Sequence, residues 1–255
     1  MRARRATCTE DDIKLLKTRV VTSSDNTYPA DALHVFKTNK EVDNNNLSHI
    51  KKSQSHIHEI KAIDKRKDIH TGQLTVVMPS KASDTGGLRE VLVVTMGARV
   101  MVTVNINVSD DLANGVCGTV VGIETTGDQV IVIFVKFDSP RVRKDAIARS
   151  QYRQQYPDAV PIMRQEVQFF TGRGRHSVEA RRTQFPLTLA WACTIHKVQG
   201  KTLEQVVVAM KGKVKFMPGQ AYVAIHSTGV HRNRPPHPRK DNEHCDCVQA
   251  SITGS

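Results

Sequence analysis

Hydrophobic positions follow three successive patterns along the chain, and the changes between them mark the expected elements. Near the start, Thr9-Glu10-Asp11-Asp12 has the form of a helix cap with an acidic third residue, and Ile13, Leu15 and Leu16 follow it. Thr22 to Pro29 is rich in turn residues. Ala32-Leu33-His34-Val35-Phe36 then predicts a short half-buried strand. Thr38-Asn39-Lys40-Glu41 is a second capping box, with Val42, Leu47 and Ile50 placed to line one helix face. A strand running straight into a capped helix is the α/β pattern, and the helix N-terminus is suited to an anion.

From about residue 88 the period falls to two. Val91, Val93 and Thr95 alternate with Leu92 and Val94, and Val100, Val102 and Val104 alternate with Arg99, Met101 and Thr103. Asn114-Gly115 signals a turn. Val116 to Ile123 and Val130 to Phe137 predict two strands joined across Thr125-Thr126-Gly127-Asp128 as a hairpin. Short strands this close together predict a small, mostly β, barrel-like subdomain. Residues 138–180 are polar and basic and show little periodicity. The third pattern is continuous: an apolar block from Phe185 to Cys193, then Val206-Val207-Val208-Ala209-Met210, which suits a buried parallel strand. Pro218 to Ile225 predicts another helix start. Beyond His226 there is almost nothing to bury, so disorder is expected over 227–255.

Composition narrows the partners. The 255 residues carry a formal charge of +12, with 39% hydrophobic and 5% aromatic residues. Such an excess of positive charge points to an anionic partner, nucleic acid before an acidic membrane surface. No apolar run approaches the roughly 18 residues of a membrane-spanning helix. The basic start Met1-Arg2-Ala3-Arg4-Arg5 has no apolar segment behind it to make a secretory signal. Five scattered cysteines, an odd number, read as reduced thiols in an intracellular protein. His244-Cys245-Asp246-Cys247 groups ligand types but has no second pair to complete a zinc site, so no metal residue is assigned.

Gly200-Lys201-Thr202 has the last three letters of a phosphate-binding P-loop, G-x-x-x-x-G-K-[ST]. The first glycine of that pattern would fall at Ile195. A β-branched residue resists the backbone angles of a phosphate-wrapping loop, so the match is read as a decoy. No other such motif occurs in the chain, and no catalytic residue is assigned.

Four segments in order do resemble one family. They are Ala32 to Asn44, which looks like the pattern AL-strand-TN-x-x-V-[DN]-x-x-N; Gly97 to Asn105 with Asn114-Gly115 and Gly118-Thr119-Val120-Val121; Leu189-Ala190-Trp191-Ala192-Cys193-Thr194-Ile195-His196-Lys197-Val198-Gln199-Gly200; and Gly219 to Ile225. They resemble the petite-integration-frequency (PIF-type, RecD-like) superfamily 1B DNA helicases, the third segment being close to motif V and the fourth to the front of motif VI. The resemblance covers roughly 8–225. It implies the C-terminal portion of such an enzyme: a second RecA-like domain, a parallel sheet with flanking helices, interrupted by a small mostly-β insertion. The implied division is 1–87 for the first part of that domain, 88–180 for the insertion and a basic linker, 181–226 for its second part, and 227–255 for the tail.

The resemblance further implies ATP- and Mg²⁺-driven 5′-to-3′ translocation on single-stranded DNA, in repair, recombination and telomere maintenance, with nuclear or mitochondrial placement. Carried over by motif, Thr38, Asn39, Thr194, His196 and Lys197 are expected to bind DNA. Gln199, Gly200 and Gln220 are expected at the edge of the nucleotide cleft. The P-loop and acidic Mg²⁺ motif belong to a first RecA-like domain expected before residue 1, and His226-Ser227 stands where motif VI continues into Ser-Arg. This chain alone is therefore expected to bind no cofactor and to be inactive. The alternatives are a non-enzymatic single-stranded-DNA-binding module or a decayed transposon-type helicase remnant, or a β insertion serving as a protein-interaction module.

Overall fold

The computed structural model describes residues 9–18, 20–21, 25–26, 28–29, 32–67, 74–76, 85–139, 142, 147, 150–171, 178–198, 206–209 and 250–253. In chain order the elements begin with α1 (Glu10–Lys17), β1 (Val20–Val21), β2 (Leu33–Phe36), α2 (Asn39–Lys52), β3 (Ile57–Lys61), β4 (Ile63–Lys67) and β5 (Leu74–Val76). Next come β6 (Val91–Thr95), β7 (Arg99–Val102), β8 (Cys117–Thr126), β9 (Gln129–Phe137), β10 (Val160–Ile162), β11 (Gln165–Thr171) and β12 (Val178–Gln184). The last are β13 (Leu187–Leu189), β14 (Ala192–Thr194), α3 (Ile195–Val198), β15 (Val206–Ala209) and β16 (Ala250–Thr253). The chain divides into two compact units, Met1–Ser48 with Trp191–Ser255, and His49–Ala190.

The first unit is built on a parallel sheet in the order β1-β16-β15-β2-β14. An all-parallel sheet is covered on both faces, which is why its inner strand β15 is apolar at successive positions: Val206, Val207 and Val208 are all buried. The continuous run expected to be a parallel strand is therefore one. The expected helix start at 218–225 lies outside the described residues, as does most of the segment expected to be disordered. Within that segment Ala250–Thr253 forms β16, beside β15.

On α2 the buried positions are Val42, Asn46 and Ile50, four residues apart. Leu47, expected on the inner face, is exposed instead. The apolar spacing alone was misleading, because the residue that completes the inner stripe is polar.

The second unit is antiparallel. Its sheets run β10-β9-β8-β7-β13, β11-β12-β4-β5 and β3-β6. Among the described residues no pairing closes β13 onto β10, so the five-stranded sheet is open rather than the expected barrel. The β8–β9 hairpin is longer than expected: Thr126 pairs with Gln129 across a tip of Gly127 and Asp128, Gly127 having φ +58°. Gly118 lets the two strands approach, since a Cβ there would lie 2.7 Å from the Lys136 carbonyl oxygen. Phe134 on β9 stacks on Tyr156 with ring centroids 3.9 Å apart and meets Tyr152 edge-on, which anchors the 150–159 segment over the sheet.

The largest correction concerns 138–180, where little periodicity was found. That stretch supplies β10, β11 and the start of β12, and β3 to β5 were likewise not expected. On β12 the inward positions are Ala180, Arg182 and Gln184. The strand does alternate, but with an arginine and a glutamine in the buried places. Arg182 lies opposite Asp64 of β4 in the ladder and binds its carboxylate through both Nε (2.6 Å) and Nη2 (2.5 Å). Its Nη1 donates to the Leu88 carbonyl at 3.1 Å. That carbonyl belongs to a tight turn, Thr85-Gly86-Gly87-Leu88, closed by the Leu88 N–H on the Thr85 carbonyl at 3.1 Å. Both central residues have positive φ, +60° and +85°, which only glycine adopts at no steric cost.

Candidate nucleic-acid interface

Ligands of open parallel sheets bind beyond the carboxyl ends of the strands. In the first unit, β2 and β14 are parallel neighbours with Ala192 opposite His34 and Thr194 opposite Phe36. Two residues beyond that last pair, one strand has led to Thr38 and the other to His196. The ladder thus brings Thr38-Asn39 and Thr194, His196 and Lys197 to the same edge of one sheet. Asn39, His196 and Lys197 are exposed, while Thr38 and Thr194 are half-buried. Five of the eight residues expected to touch DNA or nucleotide therefore converge. The other three, Gln199, Gly200 and Gln220, lie outside the described residues.

Local chemistry explains each position. After β2 the chain enters α2 through the capping box seen in the sequence. The Glu41 N–H donates to the Thr38 Oγ1 (3.2 Å), and the Glu41 Oε2 accepts from the Thr38 N–H (3.1 Å) and hydroxyl (2.7 Å). This closed box changes the expectation for the helix N-terminus. The Thr38 N–H and hydroxyl proton go to the Glu41 carboxylate and the Glu41 N–H goes to the Thr38 hydroxyl oxygen, so an incoming phosphate has the Asn39 side chain to meet rather than an empty cap. Thr38→Ala is expected to cost the first unit about 1 kcal/mol, the usual worth of such a cap. A urea midpoint unchanged from wild type would show that the box does not hold the helix.

After β14, α3 is a single turn. Ile195 and Val198 are buried and anchor it, and His196 and Lys197 between them face solvent. Among the described residues neither Lys40 nor Lys197 pairs with a carboxylate, so both charges remain available to a polyanion. β2 itself is fixed by His34, whose Nδ1 donates to the Ala32 carbonyl at 2.8 Å. That tautomer leaves Nε2 to accept from the Tyr28 hydroxyl at 2.7 Å, and burial pushes the Tyr28 pKa up, which keeps the donor protonated.

No family model matches the chain. Over 135 residues it is 37% identical to the ATP-dependent DNA helicase PIF1 of Rattus norvegicus, an alignment covering 53% of this chain and 17% of that protein. Over 48 residues it is 60% identical to the ATP-dependent DNA helicase PIF1 of Emericella nidulans, covering 19% of this chain and 6% of that one. The solved Pif1 helicase from Bacteroides in complex with ADP-AlF3 and ssDNA matches with a TM-score of 0.60, over 100% of this chain and 47% of that chain, at 22% identity. Over about half of its length the chain is thus similar to a portion of the PIF1 helicases, and its fold is that of the solved Pif1 chain. It spans less than a fifth of the length of these curated relatives and about half of the solved Pif1 chain.

One polar residue was given no role by the sequence reading, although it stands at the last asparagine of the pattern TN-x-x-V-[DN]-x-x-N. Asn46 of α2 is buried, and its carboxamide exchanges two hydrogen bonds with the main chain of Ala192, accepting from the N–H at 2.8 Å and donating to the carbonyl at 3.2 Å. The signal was available: Asn46 falls midway between Val42 and Ile50, at the four-residue spacing of an inner helical stripe. Among the described residues no group of three or more His, Cys, Asp or Glu could hold a metal ion, and no helix is long and apolar enough to cross a membrane.

Proposed function

We propose that this chain is part of an ATP-dependent 5′-to-3′ DNA helicase and supplies an edge of its single-stranded DNA track. The observation that carries this reading is the β2–β14 register, which gathers Thr38, Asn39, Thr194, His196 and Lys197 beyond the carboxyl ends of two parallel strands. The donors there are of the kind that grip phosphate and sugar: the Asn39 amide, the Thr194 hydroxyl, an imidazole and an ammonium, with Thr38 committed to the cap of α2. A solved Pif1 chain of the same fold was captured with ssDNA, which supports the choice of partner. Repair, recombination and telomere maintenance, in nucleus or mitochondrion, are the settings proposed for the whole helicase.

ATP and Mg²⁺ are proposed for that whole helicase, with Gln199, Gly200 and Gln220 bordering its nucleotide cleft. The P-loop-like ending Gly200-Lys201-Thr202 is read from the sequence as a decoy and lies outside the described residues. Ile195, which stands at the place of the first P-loop glycine, is buried in the helical turn α3 rather than set in an open loop. The purified 255-residue chain is expected to bind a labelled single-stranded oligonucleotide with an affinity that falls linearly in log salt, and to release no phosphate from ATP when DNA is added. Fluorescence anisotropy across a salt series tests the first part, and salt-independent binding would overturn it. DNA-stimulated phosphate release would overturn the second.

A further inference from the structure

β14 is the outermost strand of its sheet among the described residues, with β2 on one side only. In a parallel pair, a residue bonds to the neighbours of its partner, and the partner's own N–H and C=O point the other way. The His34 N–H accordingly donates to the Trp191 carbonyl at 2.9 Å, which turns the main-chain groups of Ala192 toward the open edge. Ala192 is buried, so those groups need a partner there. Asn46 provides it. Its carboxamide offers one acceptor and one donor to the N–H and C=O of a single residue, as an adjacent strand would.

Position gives this contact its consequence. Two residues after Ala192 comes Thr194, followed at once by the turn that presents His196 and Lys197. Asn46 lies on the helix whose first turn carries Thr38 and Asn39. We infer that Asn46 is a positioning residue that stands in for a strand at the open edge of β14, and through it holds the two halves of the DNA track in register. The inference rests on the DNA-track reading given above. It also requires the carboxamide itself. An aspartate keeps the size but loses the donor and sets an oxygen against the Ala192 carbonyl, and a leucine satisfies neither group.

The experiment compares Asn46→Asp and Asn46→Leu with wild type by amide hydrogen exchange and by anisotropy with a labelled single-stranded oligonucleotide. Both variants are also combined with Lys197→Ala. Amides of residues 192–197 are expected to exchange about tenfold faster or more, as a local opening does, while those of Val206–Val208 keep their protection. DNA affinity is expected to fall several-fold. In the Lys197→Ala background it should fall less, the product of the single-variant factors exceeding the double-variant factor by more than about twofold, the scatter of independent sites. Unchanged exchange over 192–197 overturns the inference, as does a rise spread equally over Val206–Val208, or strict additivity with Lys197→Ala. If Lys197→Ala alone leaves affinity unchanged, the DNA-track reading fails, and the service of Asn46 to DNA falls with it. The exchange pattern still reports separately whether Asn46 holds the segment. Asn46→Asp, being isosteric, keeps the test open if Asn46→Leu does not fold.

Discussion

Arg182→Ala is expected to destabilise the second unit by about 3–5 kcal/mol, the cost of leaving one member of a buried ion pair without its partner. The Arg182 side chain is 0% exposed and that of Asp64 5%, so water cannot solvate the carboxylate left behind. The pair is bidentate, and the guanidinium also satisfies the Leu88 carbonyl of the Thr85–Leu88 turn. Its removal therefore strikes β4, β12 and that turn together. Whole-domain stabilities are about 5–15 kcal/mol, so a loss of this size takes a large share of what holds the unit.

The same reasoning separates the pair from the packing around it. Arg182→Met combined with Asp64→Leu removes both charges and leaves an apolar core, which in comparable cases is neutral or stabilising by about 1–4 kcal/mol. The Leu88 carbonyl retains the Thr85 hydroxyl, which donates to it at 2.8 Å. The double variant is thus expected to be far more stable than Arg182→Ala. Urea denaturation of the three proteins checks this. A loss under about 1 kcal/mol for Arg182→Ala would mean that Asp64 finds another partner or reaches water.

The ion pair also explains where the sequence was legible and where it was not. Period-two and continuous apolar patterns revealed β6 to β9 and β15, because there the buried positions are filled by Val, Ile, Leu and Phe. On β12 the buried positions hold Arg182 and Gln184, each satisfied by partners roughly 95 to 120 residues away in the chain. No local pattern can announce a partner so distant. Asn46 is a milder case of the same problem: its spacing was correct, but the outward Leu47 carried the hydrophobic signal and drew the stripe one residue too far. The candidate interface was more legible, since Thr38-Asn39 and Thr194-Ile195-His196-Lys197 stand in motifs that announce themselves. What the motifs could not give was their adjacency, which comes from the parallel pairing of β2 with β14.

Lys197→Ala is expected to weaken single-stranded DNA binding about fivefold near 0.1 M salt and to shallow the salt dependence by about 0.7 log unit per log unit. Both figures are those of one phosphate contact on a single strand, and a direct contact must change them together. With aromatic residues at 5% of the chain, stacking platforms are few, so charge has to carry most of the affinity. Lys197 is suited to this because the buried Ile195 and Val198 fix its turn. An ordered cation loses less conformational freedom on binding than one on a flexible segment. The control is Lys136→Ala, which removes the same formal charge from β9 of the other unit, where Asp158 lies 3.5 Å from the ammonium. That substitution should leave the slope nearly unchanged, because a lysine already paired with a carboxylate releases little counterion when it meets DNA. Anisotropy of a labelled oligonucleotide at several salt concentrations gives both slopes. An equal change for the two variants would take His196 and Lys197 out of the DNA track and leave a diffuse basic surface in their place.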